Sequence, residues 1–576
     1  MAQEPAVITV AGTDLSGSLF RAADELDGQG GPVVLVSDRS LLPAGAMEDL
    51  CSGRPRATTA FVTRQGEPSL RVLHHRIVDV GTSRHRAADP DAATVGLMWI
   101  GASDRARAAR ALRDAAALAQ SWGVTGDDPF GWALLAVVRE GVPVAAEDIE
   151  PWPLPEPGGA VPGCAEPDLS AQDVARIRLA RANRSDDGVY SKLVLRRLSK
   201  PLSALGARRG WSPNSLTLAS LATGVAAAAC FASGNRAAMI VGALLLQVAL
   251  VIDCSDGEVA RLTGRFSAVG AWLDASTDRI KEYLVYAGLA VGAAAAGTDI
   301  WLAAAATMTL QTVRHLSDYT FARVRAQRET ARAARPLTET NAATDTQSAL
   351  LKRSARMNNR SGLRGLKDLI YFPIGERWLV ISITAAILTP SWTFAALLVL
   401  GAVALAYSTA ARCARSWTWT ASADGAQAIR AQVDAGPVAW LAGKAVRGTS
   451  AALLPLVSGR FGWALPSVAG GVELLAWLVL VAVISPGSLA AVFWVMFMIC
   501  FHRYDLMYRA MAGRVAPRWL LWSCGGGDGR VLLLAVLSLA GAAVLASSLP
   551  WIAGVLGIVG VVIASGQWLI SKAADD

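Results

Sequence analysis

Asp253, Asp256, Asp274 and Asp278 are the residues whose type and spacing could do chemistry. They fall in the stretch Asp253-Cys-Ser-Asp256-Gly257-Glu-Val-Ala260-Arg261, followed after eight residues by Gly270-Ala-Trp-Leu-Asp274-Ala-Ser-Thr-Asp278. Acids three or four apart share one face of a helix, so each pair presents two carboxylates to one side. The connection is long enough for two helices to run antiparallel and bring all four carboxylates together. Both helices border apolar runs, where uncompensated acids are costly, and Arg261 alone cannot balance four. Oxygen-rich clusters suit magnesium, manganese or calcium. Two such ions could clamp a pyrophosphate and stabilise charge as a phosphoryl bond breaks. Gly257, Ala260 and Gly270 are small enough to let a nucleotide approach the backbone. The plainer alternative is an exposed acidic turn with capping aspartates; convergence of four acids between two apolar helices speaks against it.

The elements that must position these acids are long and apolar. The 576-residue chain is 53% hydrophobic and only 17% charged, against about 25% charged in an average soluble domain. Apolar segments lie near 215–233, 237–254, 281–297, 300–320, 377–390 and 393–411, then near 464–484, 488–501, 531–548 and 551–570. Measured against the roughly 20 residues a spanning helix needs, they predict an all-α polytopic body of about 10 transmembrane helices. The connections 232–236, 298–299, 391–392, 485–487 and 549–550 contain one basic residue, Arg236, whereas eleven Lys/Arg stand between Arg323 and Lys367. The positive-inside rule then places the N- and C-termini and the acidic cluster on the cytoplasmic side of an inner (plasma) membrane, in a multi-pass topology. Between Leu169 and Gly210 the pattern is helical and basic, with Lys192, Arg196, Arg197, Lys200, Arg208 and Arg209 among apolar residues. That suits a helix lying on an anionic membrane surface.

Residues 1–150 read differently. Short β-branched runs at Ala6–Val10, Val33–Val36, Thr58–Val62 and Val95–Ile100 alternate with helical spacing at Arg105–Trp122 and Phe130–Arg139, predicting an α/β domain with a largely parallel sheet. Residues 151–168 hold six prolines and three glycines and read as a linker. Met1–Ala11 is too short, and acidic at Glu4, for a signal peptide. The seven scattered cysteines contain no CxxC pair, which fits a reducing interior without a zinc site. Lysine first occurs at Lys192.

The spacing D-x2-D-G-x2-A-R-x8-G-x3-D-x3-D is the signature of the CDP-alcohol phosphotransferases, and the chain resembles that family over roughly residues 185–415. The resemblance implies a catalytic domain over 169–415, built of the surface helix and six transmembrane helices. It implies displacement of CMP from a CDP-alcohol donor by an acceptor hydroxyl on a polyol phosphate or lipid, with membrane lipids around it and no nucleic-acid partner. It further implies Mg2+ or Mn2+, two ions, on Asp253, Asp256, Asp274 and Asp278, with Asp278 also the general base, and a CMP pocket lined by Gly257, Ala260, Arg261 and Gly270. An α/β domain ahead of such a module is similar in layout to the bifunctional inositol-phosphate cytidylyltransferase and di-myo-inositol-phosphate-phosphate synthases. Ala6–Gly12 would be the first strand of a nucleotidyltransferase and Asp127–Val142 a late helix. The loop Gly12-Thr-Asp-Leu-Ser-Gly17-Ser lacks the cations that hold a triphosphate, and Asp14 would repel phosphate, so a degenerate, inactive nucleotidyltransferase-like domain is expected.

Arg314, Asp318, Arg323 and Arg377 stand at the cytoplasmic ends of predicted spans, where basic groups suit an inositol-phosphate-like acceptor; His315 beside them reads as a packed helix residue. Residues 416–576 form a C-terminal module of about four further spans, opened by a weakly amphipathic connector at 416–459. In it Glu473 marks a cavity or a buried pair, and Gly525–Arg530 reads as a glycine-rich turn. The Gly and Ala content of the spans suits close helix packing and a homodimer. Two alternatives stand beside this reading: a phosphatidyltransferase using CDP-diacylglycerol, and a non-catalytic transporter or scaffold.

Overall fold

A computed structural model describes residues 5–40, 42–51, 57–154, 169–182, 188–339, 369–419, 429, 432–437 and 459–575. Most of the linker at 151–168, most of the connector at 416–459 and much of the basic stretch before Lys367 lie outside the described residues. The chain divides into two compact units, one of Met1–Asn183 with Ala326–Ser348, the other of Arg184–Arg325 with Ala349–Asp576.

The first unit is built on a sheet of β1 (Ala6–Val10), β2 (Val33–Ser37), β3 (Thr59–Thr63), β4 (Leu70–Leu73), β5 (Arg76–Val80), β6 (Ala93–Ile100) and β7 (Ala145–Asp148), in the order β1-β2-β6-β3-β7-β5-β4. Only β1/β2 and β3/β7 run parallel; β2/β6, β3/β6, β4/β5 and β5/β7 are antiparallel. The expected parallel sheet is thus a mixed one. One cause is the tight hairpin that the strand pattern missed: His74 and His75, with φ of 52° and 61°, join β4 directly to β5. Two consecutive left-handed residues make the turn whose twist suits antiparallel strands. Alternation along β2 sends Val33 and Leu35 to one core and Val34 to the other. Helices α1 (Leu15–Asp27), α3 (Arg105–Ser121) and α4 (Pro129–Arg139) cover the first face; α2 (Ala44–Cys51) lies on the second. Helix α4 is buried all round and is capped by Asp128, which accepts from Phe130 N and Gly131 N.

Under α4 lies a buried charge cluster that the sequence did not announce. Asp79 accepts from His85 at 2.8 Å, with Arg335 at 3.5 Å and Arg139 at 3.9 Å. Burial pushes the Asp79 carboxyl up, but the His85 hydrogen bond and the Arg335 charge outweigh it and hold its pKa below the ordinary value. A cleft of about 290 Å³ opens nearby, lined by Arg139, Glu140, Arg335 and Pro336.

The second unit is helical. It begins with α6 (Arg196–Arg208), after α5 (Ala171–Arg181) of the first unit, and continues through α7 (Pro213–Ala232), α8 (Arg236–Thr263), α9 (Ala268–Ala295), α10 (Trp301–Ala333, whose residues from Ala326 on belong to the first unit), α11 (Ile374–Ile387) and α12 (Pro390–Ser416). Then come α13 (Leu465–Ile484), α14 (Leu489–Met511), α15 (Arg518–Ser523), α16 (Gly526–Ala540), α17 (Ala542–Gly557) and α18 (Ala564–Asp575). Each of the ten apolar segments falls on helix, and seven helical stretches among the described residues are long and apolar enough to cross a membrane. Helices α9 and α10 carry the charges of the acidic centre and its surroundings, and α11 has only 14 residues. The last boundary differs from expectation. The break falls at Gly541, with φ of 103°, whereas 549–550 lies inside α17 and Pro550 is helical. Large apolar side chains such as Val483, Leu539 and Ile570 point outward, at 75%, 89% and 73% exposure, as they do when lipid is the solvent. This is a membrane protein.

Candidate active site

Helix α7 brings the two aspartate-bearing helices together. It packs against both α8 and α9, and the approach is close because side chains are missing where backbones meet. A Cβ on Gly288 would fall 2.3 Å from Ala228 O, one on Gly292 2.2 Å from Phe231 O, and one on Gly242 3.0 Å from Ala227 O. The turn between α8 and α9 is set locally. Gly264 ends α8 in the left-handed conformation at φ 69°, and Ser267 caps α9 by accepting from Gly270 N at 2.9 Å. Gly270 also needs its missing side chain, since a Cβ would lie 3.0 Å from Asn214 Oδ1.

This frame unites Asp253, Asp256 and Asp274: one carboxylate oxygen from each lies within 4.8 Å of the others. Thr217 Oγ1 donates to Asp256 at 2.5 Å and Ser220 Oγ to Asp253 at 3.2 Å, fixing both from α7. Three convergent carboxylates are the donor set that a hard divalent cation takes, so the residues fit the expected metal. Asp278 stands one turn beyond Asp274, outside that trio, with Lys281 Nζ 3.0 Å and Arg279 Nη2 3.9 Å from its oxygens. Lys281 also pairs with Asp253. Gly257 faces the Arg261 guanidinium, whose Nη1 would lie 3.1 Å from a Cβ there.

Glu258, inside the motif but unassigned from sequence, is fully buried and anchors α6. It accepts from Arg196 Nη1 at 2.6 Å, Ser199 Oγ at 2.8 Å and Ser203 Oγ at 2.6 Å. Arg196, Ser199 and Ser203 of α6 are therefore turned inward, while Leu198 and Leu205 are exposed alongside Arg197 and Arg208.

Of the four candidate acceptor residues, Arg377, Arg314 and Asp318 are held by partners of their own. Arg377 donates to Glu282 Oε1 at 2.9 Å, and Arg279 reaches the same carboxylate at 2.8 Å. Arg314 donates to Gln311 Oε1 at 3.0 Å and Tyr371 O at 2.7 Å. Asp318 pairs with Arg412, which the sequence reading did not single out. Arg323 Nη1 is buried with no hydrogen-bond partner among the described residues. His315 is a packed residue: its Nδ1 lies 2.8 Å from Tyr504 Oη and 2.9 Å from Arg279 Nη1. Lys281, Glu282 and Glu258 were missed; spacing of three residues from Asp278 to Lys281 and from Arg279 to Glu282 hints at pairs within α9, but nothing local signals their burial or the partners of Glu258.

The C-terminal module packs on the aspartate helices through α14. Asp505 accepts from the indole N–H of Trp272, at 3.1 Å, and of Trp568, at 2.8 Å, while Tyr508 Oη donates to Ala275 O at 3.3 Å. Trp272 and Ala275 flank Asp274 in sequence. Glu473 is paired rather than cavity-lining: Arg503 and Arg530 both bond it. Gly525 and Gly526 form a left-handed turn against Gly436.

With this arrangement in view, the similarity of the chain falls into two parts. Residues 211–350 match the family described as CDP-alcohol phosphatidyltransferase, so the chain carries a domain of that class of phosphate-transferring enzymes. Residues 426–576 match a family of unknown function (DUF5941). Among curated relatives, the chain is similar to the archaetidylinositol phosphate synthase of Aeropyrum pernix, 37% identical over 105 residues covering 18% of this chain and 53% of that protein. It is 32% identical over 134 residues to the phosphatidylinositol phosphate synthase of Streptomyces avermitilis, covering 23% and 54%. A bifunctional IPC transferase and DIPP synthase of Rubrobacter xylanophilus is 38% identical over 112 residues, covering 19% and 24%. The chain thus spans about half the length of the first two relatives.

Proposed function

We propose that the protein is a metal-dependent CDP-alcohol phosphotransferase of the inner membrane, multi-pass with both termini cytoplasmic, acting on an inositol-phosphate-like acceptor. The observation that carries the reading is the meeting of Asp253, Asp256 and Asp274 oxygens within 4.8 Å at the motif that defines the family. Those three residues would hold Mg2+ or Mn2+, which supplies charge neutralisation for the donor pyrophosphate. Asp278 receives the proton of the acceptor hydroxyl. The acceptor oxygen bonds to the phosphorus carrying the donor alcohol, the bond from that phosphorus to the bridging oxygen breaks, and CMP leaves with the bridging oxygen. Gly257, Ala260, Arg261 and Gly270 form the cytidine-nucleotide side of the site. Arg314, Asp318, Arg323 and Arg377 form the acceptor side; Glu282 and Arg412 hold Arg377 and Asp318 in fixed orientation.

The relatives' names support an inositol-phosphate acceptor and favour a second reading of the donor, a CDP-activated lipid rather than CDP-inositol. The outward side of α6, where Leu198 and Leu205 stand beside Arg197 and Arg208, suits a helix lying on a lipid surface. The first unit is read as a degenerate nucleotidyltransferase-like domain. In support, Asp14 caps α1 by accepting from Gly17 N at 3.1 Å, so its carboxylate occupies the helix terminus a phosphate would use.

The test is CMP release by the full chain from labelled CDP-inositol or CDP-diacylglycerol, each against a panel of polyol phosphates. Transfer to inositol phosphate from either donor supports the reading and identifies the donor. Absence of CMP release from both, with folded and metal-loaded protein, rejects it. The same preparation given CTP and inositol phosphate should release no pyrophosphate.

A further inference from the structure

Four carboxylates suggested two metal ions, yet one of the positions between them is filled. Lys281 projects from α9 with its side chain fully buried. Its Nζ contacts Asp253 Oδ1, lies 3.0 Å from Asp278 Oδ1 and donates to Ser220 Oγ at 2.7 Å. An ion bridging those two carboxylate oxygens would bind each at roughly 2.0–2.6 Å, in the space the ammonium takes. The surroundings are shaped for this side chain. A Cβ on Gly224 would fall 2.9 Å from Lys281 Cγ, so α7 leaves a channel for the stem. The ring of Trp378, on α11, lies 5.5 Å from the ammonium at cation–π distance. Three helices therefore contribute to holding one lysine between two of the four acids.

We propose that Lys281 is the resident second cation of the acidic centre. This chain then takes a single divalent ion, on Asp253, Asp256 and Asp274, with the ammonium in place of the other. The inference deepens the transferase reading and rests on it. A lysine cannot dissociate, so one positive charge stays between Asp253 and Asp278 at any metal concentration, and Arg279, paired with Glu282, lies 3.9 Å from Asp278.

The experiment is a manganese titration of the detergent-solubilised full chain. Bound metal is counted after desalting, and electron paramagnetic resonance reports whether bound ions are coupled, as ions roughly 3.5–4 Å apart would be. One uncoupled Mn2+ per chain is expected, and Lys281→Met should gain a second, coupled ion. Two coupled ions in the unaltered chain would overturn the proposal alone. So would a folded Lys281→Met protein that still binds one. No bound manganese at all would overturn it together with the transferase reading. If Lys281→Met does not fold, the count in the unaltered chain decides.

Discussion

Asp278 and Asp256 carry the same side chain but face different neighbours, and that difference assigns them different work. Asp256 is bonded by Thr217 and turned into the carboxylate trio, whereas Asp278 sits beside Lys281 and Arg279 at its edge. Asp278→Asn keeps the shape and removes the base, so CMP release should fall by roughly 10²–10⁴-fold, with manganese and donor binding retained. Turnover near that of the unaltered chain would remove Asp278 from the role. A second prediction concerns Asp79, whose pKa is held below its ordinary value in the folded first unit. A lowered carboxyl pKa contributes stability above the unfolded value of about 3.9 and loses it as pH falls through the folded value. Hydrogen exchange in β5 and α4, corrected for intrinsic rate, should therefore rise steeply below about pH 4. Asp79→Asn should raise it already at pH 7 and flatten the acid dependence; an unchanged profile would show the cluster to be energetically silent. The four aspartates were legible because their spacing repeats a pattern. Lys281, Glu282 and Glu258 were not, since a charged residue on a helix reads as solvent-facing until a partner from another helix covers it.

At the scale of elements, the site depends on how closely α7 meets α8 and α9, and glycines set that distance. With 53 glycines in the chain, composition could not say which ones matter. The structure separates them by what a methyl group would strike. At Gly288 it meets the Ala228 carbonyl of α7, which can move only with its helix; at Gly257 it meets the tip of a flexible arginine. Gly288→Ala should lower stability by about 1–3 kcal/mol through overpacking and weaken manganese binding as the trio spreads. Gly257→Ala should leave melting unchanged and raise KM for the donor. Thermal melting in detergent together with the two titrations distinguishes them, and equal melting temperatures for the two variants would refute the assignment. The helical period made the ten apolar segments readable. The mixed sheet was less so, because β4, β5 and β7 carry Arg71, Arg76, Asp79, Glu147 and Asp148 and lack the apolar β-branched runs that marked the similarly short β1, β2 and β3.

At the scale of the molecule, residues 426–576 have no motif for chemistry, yet their helix α14 rests on the catalytic helix. Asp505 is the joint: one carboxylate receives Trp272 from α9, Trp568 from α18 and Arg509 from its own helix, the last at 2.7 Å. Trp272 and Trp568 stack beside it at 5.7 Å. Nothing in the spacing of these residues foretold the joint, because Trp272 lies 233 residues before Asp505 and Trp568 63 residues after it. If the module were an independent appendage, Asp505→Ala would weaken only its own helices. If it braces the site, the same change removes the acceptor that the indole N–H of Trp272, two residues along α9 from Asp274, shares with that of Trp568, and the carboxylate partner of the buried Arg509, a loss of about 3–5 kcal/mol. The brace predicts that Asp505→Ala lowers the melting temperature and manganese affinity together, and that exchange in α9 near Trp272 and Ala275 rises with that in α18. Exchange in α4 of the first unit should not change. A variant that loosens α18 while keeping full manganese affinity and an unaltered α9 would show that the acidic centre stands without its C-terminal neighbour.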